Sequence, residues 1–264
     1  MKAYESRGRL AVIREDFGGE ILVAGDLHGD LEAFERIKKL ASSRPGSLLV
    51  FLGDYADRGP YGLEVVEGLV GLLKEREGSI IALKGNHEDY RGGAPYFSPC
   101  DLVEEVEVKK GMSWAEYFPR FEHGLLSRLH LAVLIPGIAV LVHGGISSKI
   151  RGVDDLADPS ARVEEDILWS DPWEEEGECP NPRGAGVLFG PEVSEAFMRM
   201  IGVKFLVRSH EPAKAVTGPH VAHSGRIFTL SSTRVYGGRA FVLAFRPHPA
   251  LTEGDLRRGA VGLL

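Results

Sequence analysis

Six side chains able to bind a metal, Asp26, His28, Asp54, Asn86, His143 and His210, stand just beyond short apolar runs. The first three clusters read Gly25-Asp26-Leu27-His28-Gly29, Gly53-Asp54-Tyr55-Ala56-Asp57-Arg58-Gly59 and Gly85-Asn86-His87-Glu88. On an extended backbone residues i and i+2 face the same side, so Asp26 and His28 are expected to hold one ion together. Asp54 would bridge to a second ion, completed by Asn86, His143 and His210. This mixture of oxygen and imidazole donors suits manganese, iron or zinc, and is a poor site for calcium alone. Two such ions, ~3.5 to 4 Å apart, lower the pKa of a shared water and neutralise charge on phosphoryl oxygens during in-line displacement. The chemistry expected is hydrolysis of a phosphate ester, with hydroxide and not a side chain as the nucleophile.

Arg58 and Arg183 are the expected phosphate clamps, since a planar guanidinium makes two hydrogen bonds to non-bridging oxygens. His87 is left to deliver a proton to the leaving oxygen. Adjacent extended residues point to opposite faces, so Asn86 would bind metal while His87 faces the substrate with Asp57 fixing its tautomer. Each residue also has an ordinary reading: aspartate after glycine caps helices and turns, and a lone arginine makes a surface salt bridge. It is their joint occurrence that favours a site. Trp169 and Phe189 are read as core residues, Glu174 to Glu178 as a solvated acidic loop, and His220 and His223 as no separate metal site.

The elements that must position these groups follow from pattern. Apolar runs at Ile21 to Ala24, Leu48 to Leu52 and Ile80 to Leu83, each followed by glycine within two residues, predict buried strands. Asp26, Asp54 and Asn86 recur at close to the ~30-residue repeat of a strand, a helix and a return strand. Parallel strands with ligands at their carboxyl ends are therefore expected. Helices are predicted from Asp30 to Leu40, with Asp30 as N-cap, and from Gly62 to Leu73. Tyr90 to Ala132 reads as mainly helical, with a capping box at Ser113-Trp114-Ala115-Glu116. Further strands are expected at Ala139 to Val142 and Lys204 to Val207. Antiparallel strands are expected at Arg226 to Leu230 and Arg239 to Phe245.

The 264 residues bury a substantial core, and candidate site residues run from 26 to 236 without an intervening linker. A single catalytic domain over residues 1–264 is therefore expected. A formal charge of -7 without a basic cluster argues against a nucleic-acid surface. Cys100 and Cys179 lack the spacing of a zinc ribbon or disulfide scaffold, and no export signal or long apolar span is read, so a cytoplasmic protein off the membrane is expected.

Taken together, these segments resemble the phosphoprotein phosphatase (PPP) family of metal-dependent serine/threonine phosphatases, within the calcineurin-like metallophosphoesterases. The likeness extends through Leu168-Trp169-Ser170-Asp171-Pro172, Arg183-Gly184-Ala185-Gly186, Arg208-Ser209-His210 and Ser232 to Gly238, in family order. It implies an α/β fold with a central β-sandwich of mixed sheets flanked by helices, in place of a wholly parallel sheet. It also implies Asp26, His28 and Asp54 on one metal, with Asp54, Asn86, His143 and His210 on the other. Asp57 and His87 match the family's acid pair, and Arg58, Arg183 and Tyr236 match residues around the phosphate. Asp171 matches an acidic residue near the site. The resemblance implies phosphoserine and phosphothreonine proteins as substrates and two divalent ions as cofactors, with manganese first and iron or zinc as alternatives. Lys84 stands where many relatives have arginine, and Thr233-Arg234-Val235 replaces the more usual Ala-Pro-Asn, so the substrate rim departs from the family. The short chain is similar to prokaryotic, archaeal-type catalytic domains. Two alternatives stand beside this reading: a dinucleoside polyphosphate hydrolase, which Arg58-Gly59-Pro60 and Leu63 to Val66 also resemble, and a non-catalytic phosphate-binding scaffold.

Overall fold

Strands Ile21–Ala24 and Leu48–Phe51 are buried along their whole length in the computed structural model, which describes residues 2–263. Their side chains alternate between two separate cores. Leu22, Ala24, Leu49 and Phe51 join the cluster under the helices, whereas Ile21, Val23, Leu48 and Val50 face a second sheet. This is the two-residue period of a strand covered on both faces, and it explains why the runs are continuously apolar.

The first sheet has the order Ala260–Gly262, Phe241–Phe245, Ile21–Ala24, Leu48–Phe51, Ile80–Ala82. Its last three strands are parallel, as the spacing predicts, and Phe241–Phe245 pairs antiparallel with Ile21–Ala24. The second sheet runs Tyr4–Arg7, Leu10–Ile13, Ala132–Ile135, Ala139–Val142, Phe205–Arg208, Ile227–Thr229, His220–Ala222. Alternation recurs there: Leu141 and Val207 face the first sheet, while Val140 and Leu206 pack under the outer helices. The result is four layers, with helices Leu31–Ser42 and Gly62–Glu75 outside one sheet and Ala161–Trp169 and Pro191–Ile201 outside the other.

Two expectations need correction. The sheets are mixed, not parallel throughout, as the family resemblance implies. Ile227–Thr229 runs parallel to Phe205–Arg208 and is antiparallel only to its hairpin partner His220–Ala222, because the chain crosses over after residue 208 before returning. Residues 90–132 are mainly helical as expected, with a short hairpin of Tyr90–Arg91 and Ala94–Pro95 ahead of helices Leu102–Lys110 and Trp114–Gly124. Gly92 and Gly93, both at positive φ, make that turn. The local signals at helix starts hold: Asp30 accepts the Ala33 N–H at 3.0 Å, and Glu116 accepts the Ser113 N–H at 2.9 Å.

Strands Ile21–Ala24, Leu48–Phe51 and Ile80–Ala82 end at the same edge of the sandwich as Ala139–Val142, Phe205–Arg208 and Ile227–Thr229. A parallel bridge between Asp26 and Ser231 joins the loops there. Six loops thus meet along one seam. Among the described residues, no helix is long and apolar enough to cross a membrane.

Candidate active site

The loops at this edge hold strained backbone. His28, Asp54, Asp57, Arg58 and His210 all have positive φ, a region that non-glycine residues enter at a cost of about 1–3 kcal/mol each unless the surroundings enforce it. Glu88 supplies that enforcement at Asp54. Its buried carboxylate accepts N–H groups from Asp54 (2.8 Å), Tyr55 (3.0 Å) and Gly85 (2.9 Å), locking two ligand loops together. Leu27 and His28 both donate backbone N–H to the Asp54 carbonyl, at 3.0 and 2.9 Å. The loops approach so closely that a Cβ on Gly85 would lie 2.2 Å from Asp54 Oδ1, which excludes any other residue there.

Four donors converge on one point. Asn86 Oδ1 lies 3.0 Å from His143 Nε2 and 2.9 Å from His210 Nδ1, the two imidazole nitrogens are 3.2 Å apart, and Asp54 Oδ1 is 3.4 Å from His143 Nε2. Donors each ~2.1 Å from a tetrahedral ion lie about 3.4 Å from one another. Burial, with His210 beside it, holds His143 well below the ordinary histidine range, so the ring is neutral. Its Nδ1 faces the Leu52 carbonyl at 2.9 Å and must donate to it, which leaves Nε2 without a proton. Nε2 then confronts an amide oxygen, lone pair against lone pair, a contact that a cation between them resolves.

A second cluster lies alongside. His28 Nε2 is 3.5 Å from Asp54 Oδ2, and His28 Nδ1 faces the Ala56 carbonyl at 3.1 Å, so Nε2 is again the free donor. Burial moves both aspartates against their charge, Asp26 up to about 6 and Asp54 well above its ordinary value. Asp26 Oδ2 is buried with no hydrogen-bond partner, although Oδ1 accepts the His210 N–H at 3.1 Å. A buried carboxylate oxygen left unpaired, beside a second buried carboxylate, fits divalent cations as the missing counter-charge. His28, Asp54 and His87 also bring ligand atoms within 4.8 Å of one another, as do Asp54, His143 and His210. His87 thus stands closer to the first ion's donors than expected. Its Nδ1, however, is engaged by Asp57 Oδ2 at 2.6 Å.

Beyond the donors opens a cleft of about 500 Å³, lined among others by Arg58, His87, Phe97, Trp169, Arg183 and Tyr236. Both predicted arginines reach it, from loops far apart in sequence. Arg183 Nε is held at 3.0 Å by Asp171 Oδ2, and Asp171 Oδ1 pairs at 2.6 Å with Arg208, whose side chain is wholly buried. Arg208 also bonds Glu211 at 2.6 Å and the Gly144 carbonyl. The Asp171 position thereby gains a role that sequence did not give it: it ties a cleft arginine to the core. Tyr236 packs 5.4 Å from the His28 ring. Burial pushes its hydroxyl up, and the Arg58 guanidinium beside it pulls it back. The unusual Arg234 anchors this loop, its backbone N–H and Nε to Asp30 Oδ2 at 2.9 and 3.1 Å, and its Nη2 to Asp30 Oδ1 and Glu32, both at 2.9 Å.

All of the predicted residues meet at this edge, by geometry that partly differs from the expected one. Asn86–Glu88 forms a 3₁₀ turn, not an extended segment, so Asn86 and His87 are separated by helical rotation. Asp26 and His28 are not on one extended strand either, since His28 has φ 45° and turns the chain. Trp169, read as core, lines the cleft with its ring edge-on to His210 at 5.8 Å. Phe189 is core as expected. His223 hydrogen-bonds Ser194 and the Trp173 carbonyl, at 2.6 and 2.7 Å, and His220 is exposed. Phe97 and Lys214 also line the cleft, and no local sequence pattern marked them.

Comparison with known proteins agrees with this architecture. Residues 19–214 match the model of the calcineurin-like phosphoesterase family. A serine/threonine-protein phosphatase of Caenorhabditis elegans is 31% identical over 203 residues, which cover 74% of this chain and 44% of that protein, so the chain spans less than half of that relative. Among solved structures, a Saccharomyces cerevisiae serine/threonine phosphatase with similarity to human phosphatase PP5 superposes with a TM-score of 0.72 at 23% identity, covering 96% of this chain and 81% of that one. A putative diadenosine tetraphosphatase superposes with a TM-score of 0.54 at 20% identity, over 89% of this chain and 93% of the other. These two likenesses concern the fold. With the family model spanning both ligand-bearing halves of the sandwich, the chain belongs to the calcineurin-like phosphoesterase family.

Proposed function

We propose that this chain is a metal-dependent phosphoprotein phosphatase that hydrolyses phosphoserine and phosphothreonine monoesters. The observation that carries the reading is the convergence of Asp54, Asn86, His143 and His210 donors within 2.9–3.4 Å, beside two arginines lining one cleft. The identity to a serine/threonine phosphatase supports it. Asp26, His28 and Asp54 would hold one divalent ion, and Asp54, Asn86, His143 and His210 the other, with manganese as the ion suited to this donor set. When bound, such a pair supplies an activated water nucleophile and neutralises phosphoryl charge.

The chain's own groups do the rest. Arg58 and Arg183 take the non-bridging oxygens, and Tyr236 closes the side next to His28. His87 gives a proton to the leaving oxygen while Asp57 holds Nδ1, leaving Nε2 toward the substrate. Phe97 and Trp169 cover the cleft walls. Residues 1–264 are read as one catalytic domain, because donors come from both sheets. The free thiols of Cys100 and Cys179 accord with a reducing cytoplasm.

The test is turnover by metal-stripped protein, before and after manganese, on phosphoserine and phosphothreonine peptides and on diadenosine tetraphosphate. Phosphopeptide turnover that requires metal supports the reading. Hydrolysis of the dinucleotide alone would replace it with the polyphosphate hydrolase alternative, and no turnover with either would leave a binding scaffold.

A further inference from the structure

Phe97 lies against the very group assigned to the leaving oxygen. Its ring centroid is 4.6 Å from that of His87, inclined at 47°, and it lines the cleft. The position is built, not incidental. Tyr90 meets Phe97 edge-on at 5.5 Å and is itself surrounded by Trp114 (5.4 Å), Phe118 (5.9 Å) and Phe121 (5.3 Å). The intervening hairpin is pinned by Trp114 Nε1 to the Gly93 carbonyl at 2.7 Å and by the Tyr96 N–H to the Asp89 carbonyl at 2.7 Å. Arg91 stacks 3.3 Å over the Tyr96 ring on the outer side. An aromatic cluster thus holds one ring of the chain at the cleft wall with part of its surface open.

A leaving oxygen within hydrogen-bond reach of His87, ~3 Å, sits in the cleft that Phe97 also lines, which brings the group it carries within reach of that ring. For an alkyl ester that carbon is one saturated atom. For an aryl ester it belongs to a flat ring, which can stack on or meet Phe97 edge-on. We propose that Phe97 is a specificity-determining residue that favours aryl leaving groups, so that phosphotyrosine peptides are substrates of the same site. Water adds to phosphorus, the bond to the phenol oxygen breaks, and His87 returns a proton to that oxygen, yielding phosphate and an unmodified tyrosine. This rests on the reading of the cleft as a phosphomonoesterase site.

The experiment uses manganese-reconstituted full chain, as wild type, Phe97→Leu and Phe97→Ala. One peptide sequence phosphorylated on tyrosine or on serine gives the ratio of kcat/KM values. Because loosened packing on His87 would affect both peptides, the ratio isolates the ring contact. Binding of phenylphosphonate and methylphosphonate, measured by calorimetry, reads the same preference without turnover. Loss of one aromatic pair contact predicts a fall of about 2- to 10-fold in the tyrosine-to-serine ratio and in the phenyl-to-methyl affinity ratio, in both variants. Unchanged ratios in an enzyme that turns over either peptide overturn this inference alone. Absence of turnover on every phosphopeptide by wild type overturns the functional reading, and this inference with it.

Discussion

Replacing Asp57 by asparagine tests the proton-delivery role at one atom. Asp57 uses its two oxygens differently: Oδ1 accepts the N–H groups of Asp101 (2.6 Å) and Leu102 (3.0 Å) at the start of a helix, and Oδ2 meets His87 Nδ1 at 2.6 Å. Two backbone donors fix the orientation of an asparagine, because its carbonyl must take the Oδ1 position. Its amide NH₂ then points at His87, so Nδ1 has to accept a hydrogen bond and the charged ring loses its anionic partner. A hydrogen bond to a charged group is worth ~1.5–3 kcal/mol. If the transition state contains that charged ring, kcat on a phosphoserine peptide should fall about 10- to 150-fold at 1.36 kcal/mol per decade. The fall should be much smaller on p-nitrophenyl phosphate, whose leaving group needs little protonation. Steady-state kinetics on both substrates, with metal content measured by elemental analysis, provides the assay. An equal fall on both substrates would refute the assignment. Loss of one equivalent of metal would instead make His87 a ligand, in keeping with its place beside His28 and Asp54.

Because burial already raises Asp26 and Asp54, manganese should raise the Tm of the metal-stripped protein, by linkage of binding to folding, and Asp54→Asn should blunt the rise; calorimetry showing no metal-dependent shift would contradict the site. Arg183→Lys keeps the charge and loses the planar fork, so KM and the inhibition constant for free phosphate should both rise; unchanged values would place Arg183 outside phosphate contact. Burial pushes the Asp171 carboxyl up, but Arg208 and Arg183 outweigh it and hold the group below its ordinary range. Its contribution is therefore fully present above the unfolded value of about 3.9 and is lost as pH falls through the lower folded value. Asp171→Asn removes one of the two carboxylates on buried Arg208, which keeps Glu211, and should cost ~1.5–3 kcal/mol near neutrality, the gap to wild type narrowing in urea titrations below about pH 4. A gap constant down to the acid limit would refute the pairing.

Local chemistry was legible in the sequence because its signals act over a few residues. Continuous apolar runs gave the strands, Asp30 and Ser113 marked helix starts, and glycines flanked the loops carrying Asp26, Asp54 and Asn86. The candidate ligands were named on the same footing, since aspartate, asparagine and histidine at strand ends have few joint explanations. What those signals could not specify was how the turns direct their side chains. The positive φ of Asp54 and the 3₁₀ turn at Asn86 come with contacts between loops, notably the three backbone donors on Glu88. The contacts that bring partners distant in sequence together were beyond it for the same reason. Asn86 meets His143 and His210 only once two sheets have packed face to face, and Arg183 is held at the cleft by Asp171, which in turn pairs with the buried Arg208. Phe97 and Trp169 are the clearest case: an aromatic side chain gains by burial in any core, so its residue type does not say whether it faces a core or a cleft. Short-range signals thus set the strands and supplied the candidate donors at their ends, whereas the packing of the sandwich fixed where those side chains converge and which rings are left open beside them.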